Sequence, residues 1–227
     1  RIIDPSQNMD EIGNIIINDK GKIESLGKNA KNSGTLKTAE KIDLKGNIAI
    51  PGIVDMKAFV GEPGFEYKEN FRTLSQAALA GGVTSIVTMP NTKPIIDNVS
   101  MVDFIIRRGR DKAKVNLFPC ASITRQIEGN QMTEFGLLKA RGIIGFSDVN
   151  KTIQNTELMS RIMNYASDLD VLIMQHAEDY ELSKNSCINE GEVATRLGLE
   201  GVSDIAEKII IERDLSLLSE FPCRYHI

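Results

Sequence analysis

The sequence predicts an α/β fold: a parallel sheet built from successive βα units, preceded by a small β-rich subdomain. Two observations carry that prediction. After Gly46, apolar β-branched runs alternate with stretches whose apolar residues recur three or four apart, the pattern of strands joined by helical crossovers. Before it, short β-like runs are punctuated by Gly, Asn and Asp with no helical periodicity between them.

The N-terminal runs are Asn14 to Ile17, Lys22 to Ser25 and Lys41 to Leu44, and Asn18-Asp19-Lys20-Gly21 between the first two is a hairpin turn signal. Residues 1–45 are too few to bury a core of their own, so we expect chain from elsewhere to complete this subdomain. The strands of the second part, residues 46–227, are expected at Ile48 to Met56, Val83 to Met89, Val115 to Ser122, Ile143 to Phe146, Val171 to Gln175 and Arg224 to Ile227. Between them the spacing predicts helices over Phe71 to Leu79, Ser100 to Arg110, Thr133 to Ala140, Asn155 to Ser167 and Asp204 to Leu218. Val171-Leu172-Ile173-Met174 is apolar without alternation, as a strand covered on both faces should be. Six such strands suit a doubly wound sheet or most of an eight-stranded barrel, and periodicity does not separate the two. The chain opens at Arg1 and stops within the β-prone run Arg224-Tyr225-His226-Ile227, so further polypeptide is expected beyond it.

Composition narrows the function classes. With 41% apolar and 26% charged residues over 227 positions, this is an ordinary globular chain, and no apolar run approaches the roughly 18 residues of a membrane-spanning helix. A net charge of −4, with both signs interspersed, offers no positive field for a phosphate backbone. The expectation is a cytoplasmic protein with neither nucleic acid nor membrane as partner. Cys120, Cys187 and Cys223 are far apart and form no C-x-x-C pair, which suits buried thiols in a reducing compartment. Phosphate-cradling glycine motifs are absent, since Gly81-Gly82 follows a helix rather than opening one.

Polar residues at the carboxyl ends of parallel strands are the first place to look for chemistry. Here those ends read Asp55-Met56-Lys57-Ala58-Phe59, Met89-Pro90-Asn91-Thr92, Ser122-Ile123-Thr124, Phe146-Ser147-Asp148-Val149 and Gln175-His176-Ala177-Glu178-Asp179. Together with Pro51-Gly52-Ile53-Val54-Asp55-Met56, Glu62-Pro63-Gly64-Phe65-Glu66-Tyr67-Lys68-Glu69, Ala80-Gly81-Gly82-Val83-Thr84, Asn189-Glu190-Gly191-Glu192 and Arg224-Tyr225-His226-Ile227, this ordered series resembles the dihydroorotases of the amidohydrolase superfamily.

The resemblance implies an amidohydrolase (β/α)8 TIM barrel, truncated after about six strands, and a zinc-dependent hydrolase acting on the dihydroorotate ring in pyrimidine biosynthesis. It also exposes departures. The family places its first two metal histidines as H-x-H after V-D-M, because side chains two apart on a strand share a face. This chain has Lys57 and Phe59 there, an ammonium and a ring without a lone pair. The family's substrate-gripping arginine is Gly61, and the metal-binding acid after the fourth strand is Val149, with Asp148 beside it but expected to point elsewhere. His176 is the one family ligand retained within the chain, and Asn91 matches a substrate-contacting position. In the family's R-Y-H-I-x-H the ligand is the later histidine, so His226 is not expected to be one.

Each residue also has a plainer reading. A hydrogen-bonded structural role is the commoner fate of a lone histidine such as His176. Asn91 can cap the turn that follows it, Asp148 can serve as a loop carboxylate, and Glu178 and Asp179 can open a helix. For Lys57 we expect an acidic partner in the vacated metal position. The reading that follows is a pseudo-dihydroorotase with no expected cofactor and no catalytic residue, retained as an inactive structural partner of aspartate carbamoyltransferase in a homo-oligomer or hetero-complex. The alternative is an active dihydroorotase, hydrolysing the cyclic amide to N-carbamoyl-aspartate with zinc held by His176 and ligands beyond Ile227. A different ligand in the old pocket is the third possibility.

Overall fold

A computed structural model describes residues 1–31 and 40–227. Its contacts divide the chain into two compact units, Arg1–Ile53 and Val54–Ile227. Stretch 32–39 of the expected β-rich subdomain lies outside the described residues.

The first unit holds two small antiparallel pairs. Strands β1 (Ile2–Asp4) and β2 (Met9–Glu11) are joined by a single 3-10 turn, Pro5–Gln7, whose entry is capped when Asp4 accepts from the Ser6 N–H at 3.0 Å. The hairpin of β3 (Asn14–Ile17) and β4 (Ile23–Gly27) is the expected one. Asn18 makes its turn, its side-chain oxygen accepting from the N–H groups of Lys20 and Lys22, each at 3.0 Å. Lys41 to Leu44 is not a strand. There Asp43 accepts from the Lys45 N–H at 2.9 Å and Asn47 donates to the Leu44 carbonyl, so local turn bonds occupy the groups a ladder would need.

In the second unit, β5 (Ile53–Ala58) starts later than expected because Pro51 has no N–H to offer a ladder. It is followed by α1 (Phe71–Ala80), β6 (Val83–Thr88), α2 (Val99–Lys112), β7 (Asn116–Ala121), α3 (Phe135–Ala140), β8 (Gly145–Phe146), α4 (Thr156–Asp168) and β9 (Leu172–Met174). An excursion through α5 (Tyr180–Ser183), β10 (Ile188–Asn189), α6 (Glu192–Leu197) and β11 (Gly201–Val202) leads to α7 (Ile205–Glu220) and β12 (Arg224–His226). Strand β10 pairs parallel with β11 and stands apart from the main sheet.

Six strands form that sheet in the order β5-β6-β7-β8-β9-β12. Each strand lies beside its predecessor with no reversal of order, which a doubly wound sheet would require; this is the progressive winding of a barrel, present here as its first part. Neighbouring residues in the strands face different layers. Ala121 and Ile173 join the large cluster shared with Phe71, Ile105, Phe135 and Ile162, while Cys120 and Met174 join a smaller one with Val87, Met89 and Val149. The rings of Phe135 and Phe146, both fully buried, stack at 3.9 Å between centroids. Among the described residues no helix is long and apolar enough to cross a membrane. Of the cysteines, Cys120 is buried, but Cys187, on the loop between α5 and β10, is exposed and Cys223 is half-buried, so the expectation of buried thiols fails at Cys187.

Candidate functional site

The carboxyl ends of the strands surround a pocket of about 280 Å³ in the second unit, and Lys57, Val149, His176 and His226 all line it, with Met89 and Met174 supplying apolar wall. The sheet brings these together because each stands at the end of its own strand or just past it. Asn91, Phe59, Gly61 and Asp148 are not part of that lining.

Lys57 is exposed and makes no ion pair among the described residues. Its expected acidic partner is therefore absent. The physical reason is its strand: β5 is the outer strand of the sheet, every residue but Ala58 is exposed, and the ammonium is solvated rather than buried. Phe59 lies against Phe65, ring centroids 6.1 Å apart. Gly61 has φ +72°, and a Cβ on it would fall 2.5 Å from the Glu69 carbonyl oxygen. The backbone here is one that glycine takes freely and an arginine would not.

Val149 is 8% exposed and carries φ +62°, a left-handed conformation that is costly for a β-branched side chain. Its N–H donates to Ser147 Oγ at 3.0 Å. Asp148, only 2% exposed, is committed to the loop after β7, accepting from the Thr124 N–H at 3.0 Å and from the Thr124 hydroxyl. Burial pushes its carboxyl above the ordinary carboxylate range, against the Thr124 hydrogen bonds, which act to lower it. Burial likewise raises the Cys120 thiol, with the Asp148 charge adding to the effect, so this sulfur stays protonated and unreactive.

His176 is half-buried, with Nε2 2.8 Å from Glu178 Oε2, and its carbonyl accepts from the Thr152 hydroxyl at 2.5 Å. The other pocket histidine, His226, is exposed, and its carbonyl accepts from the Gln175 N–H at 2.9 Å. Asp179 caps α5 by accepting from the Leu182 N–H at 3.1 Å. The side-chain oxygen of Asn91 is buried without a hydrogen-bond partner. Its loop is tied to the Glu62-Pro63-Gly64 turn, where Lys93 donates to the Pro63 carbonyl and a Cβ on Gly64 would sit 2.2 Å from the Lys93 carbonyl oxygen. Glu62 anchors that turn from inside, pairing with Arg108 and accepting from the Phe71 N–H at 3.2 Å. Thr124 and Ser147 stand in strand-end runs legible in the sequence, but their pairing with Asp148 and Val149 is not legible there, and Arg108 lies in no such run.

A family model described as dihydro-orotase-like matches residues 46–227. The chain belongs to this dihydroorotase family of the amidohydrolase superfamily. Curated dihydroorotases are similar to it: that of Syntrophus aciditrophicus is 43% identical, covering 97% of this chain and 51% of the relative. The one from Trichlorobacter lovleyi is 37% identical over 100% of the chain and 52% of the relative. The chain spans about half the length of the curated relatives it matches. Among solved structures, the L-hydantoinase (dihydropyrimidinase) of Arthrobacter aurescens matches with a TM-score of 0.72 at 18% identity, over 93% of this chain and 48% of that one. The Saccharomyces cerevisiae dihydroorotase in complex with 5-fluoroorotic acid matches with a TM-score of 0.53 at 15% identity, over 76% of this chain and 46% of that one. Both share its fold, the amidohydrolase barrel.

The family resemblance implies zinc, and the donors of this dihydroorotase-like chain do not fit it. Among the described residues no three His, Cys, Asp or Glu side chains come together in a way that could hold a metal ion. Lys57 is cationic, Phe59 and Val149 have no lone pair, and a ring nitrogen of His176 already has Glu178 as partner.

Proposed function

We propose that this chain is a dihydroorotase-family protein of pyrimidine biosynthesis that has given up metal-assisted ring hydrolysis and acts as a structural partner of aspartate carbamoyltransferase in the cytoplasm. The observation that supports this reading is the pocket mouth, where Lys57 and Val149 stand on the wall and Phe59 and Gly61 follow on the same strand end. Hydrolysis of a cyclic amide in this family draws on metal ions that polarise the carbonyl and generate hydroxide near neutral pH. None of the four residues can supply a ligand for that work, and the backbone at Gly61 disfavours return of the arginine. Asn91 keeps the family's substrate-contact position and His176 its ligand position, the remnants of the ancestral site.

One observation favours the second reading, an active zinc-dependent dihydroorotase. His176 and His226 line the same pocket, and further donors in a longer chain would complete a set around them. The test uses the full-length protein: dihydroorotate hydrolysis with added zinc and after chelator treatment, beside co-elution with the carbamoyltransferase of the same source. We expect no chelator-sensitive turnover and a stable complex. Turnover that chelator abolishes and zinc restores would overturn the scaffold reading.

A further inference from the structure

A second, larger cavity lies at the opposite end of the sheet. It is a groove of about 580 Å³ between the end of α1, the later turns of α2 and the starts of β6 and β7. Thr84 and Asn116, at the amino ends of β6 and β7, line it, whereas the Lys57 pocket lies at the carboxyl ends. Its walls come from three consecutive βα units, through α1, then β6 with α2, then β7, all in the second unit.

The floor is apolar. Ile105 is buried beneath it, and Gly109 lets α2 close on β7, since a Cβ there would meet Leu117 Cδ1 at 3.0 Å. On the rim, Leu79 and Ile106 are 53% and 40% exposed, side chains with apolar area left to bury. The charge around this floor has one sign. Arg110 and Lys114 line the groove and no carboxylate does. They belong to the run Arg107-Arg108-Gly109-Arg110-Asp111-Lys112-Ala113-Lys114, in a protein whose net charge is −4. Asp111 offsets Arg110 only through an exposed pair at 3.2 Å, and Lys112 and Lys114 have no ion pair among the described residues.

We infer that this groove is the docking face for a partner polypeptide, and that its occupant is an acidic segment with apolar anchors. An apolar floor with a cationic rim complements a peptide whose hydrophobic side chains enter the groove while its carboxylates meet Arg110 and Lys114. A nucleic acid backbone would leave the floor unfilled. The inference rests on the assembly role proposed above and names the surface that serves it.

The test measures binding of the full-length protein to the carbamoyltransferase of its source by surface plasmon resonance at two salt concentrations. The variants are Arg110→Glu with Lys114→Glu, Ile106→Asp, and as control Leu137→Asp, an exposed apolar residue of α3 outside the groove. Thermal unfolding of each variant establishes that it is folded; the charge reversals fall on exposed side chains and leave the core intact. We expect the double reversal to slow association about tenfold and to flatten its salt dependence, Ile106→Asp to speed dissociation, and Leu137→Asp to change nothing. Wild-type binding that the groove variants retain would overturn the groove while leaving the assembly role standing. No binding by the wild type would remove the assembly role and the groove with it. Binding of a DNA duplex that the reversal abolishes, with carbamoyltransferase binding unaltered, would assign the cations to a different partner.

Discussion

Two sets of residues in the second unit depart from each other in how they treat the family pattern. Glu62 and Asp148, each at most 3% exposed, keep family residues and have their carboxylates filled by Arg108 and Phe71 or by Thr124. Lys57 and Val149 line the pocket, with Phe59 and Gly61 just past Lys57, at positions where the family resemblance implies metal ligands and a substrate arginine, and Lys57 has no ion pair among the described residues. A buried carboxylate holding two loops together costs stability the moment it is removed. A metal ligand on an exposed strand end costs only activity. The contrast teaches where the structure depends on a side chain: on the buried carboxylates that join separate segments, and not on the Lys57 ammonium in solvent.

The sharpest test is Asp148→Ala. It leaves the N–H and hydroxyl of Thr124, itself fully buried, without their acceptor, and we expect a loss of about 2–3 kcal/mol in urea denaturation. A loss no larger than that of a surface substitution would erase the distinction between the two sets.

A second buried carboxylate extends the test. Asp214, fully buried on α7, accepts from the Tyr225 hydroxyl of β12 at 2.5 Å and from Arg213 Nε at 2.8 Å. Tyr225→Phe removes one donor and leaves the other, for an expected cost of about 1–2 kcal/mol in the same assay. The Tyr225 hydroxyl is raised well above the ordinary phenol range, first by burial and then by Asp214, so it remains the donor throughout the physiological range.

The pH dependence sharpens the account of Asp148. Its folded-state pKa is raised, so between the unfolded value near 4 and the folded one the native state holds more protons than the unfolded chain. Its contribution to stability is full below the unfolded value and is lost as pH climbs through the folded one. Urea midpoints of the wild type minus those of Asp148→Asn should fall as pH rises from about 4. A difference that grows instead would mean that the Thr124 donors outweigh burial.

The smallest effect belongs to the mouth. Lys57→Met should shift stability by no more than about 0.5 kcal/mol, because the side chain is solvated and unpaired. A loss of several times that would reveal a partner for the ammonium in the full-length protein.

Much of the second unit was legible because long helices with a countable period separate its apolar, β-branched strand runs. Helices α2 and α4 show apolar spacing across their whole lengths, and the β3–β4 hairpin is announced by Asn18. What stayed hidden was short or distant. Strands β1 and β2 have three residues each, and α5, α6, β10 and β11 are too brief for a period to be counted. Lys41 to Leu44 has strand-like composition, but one acceptor on Asp43 commits it to a turn. At the site, the strand-end positions of Lys57, Val149 and His176 could be read from the sequence, and the structure places all three on one pocket. The pairing of Asp148 with Thr124, 24 residues away, could not. Nor could the solvation of Lys57, which depends on β5 having the outer place in the sheet.

That outer place has a consequence for how the polypeptide is handled before it is ever assayed. Along β5 the side away from β6 has no strand beside it among the described residues, and Ile53, Val54 and Met56 are all exposed. What blunts this edge lies toward its carboxyl end, where Asp55 accepts from the Lys57 N–H at 2.9 Å and Lys57 puts a charge into solvent. Such an edge is a template for intermolecular β-pairing. Recovery of residues 1–227 by themselves on refolding should therefore fall as their concentration rises, with aggregates that bind thioflavin; a lysine placed at Val54 should delay their onset, and the full-length protein is the comparison that shows whether further chain covers this edge.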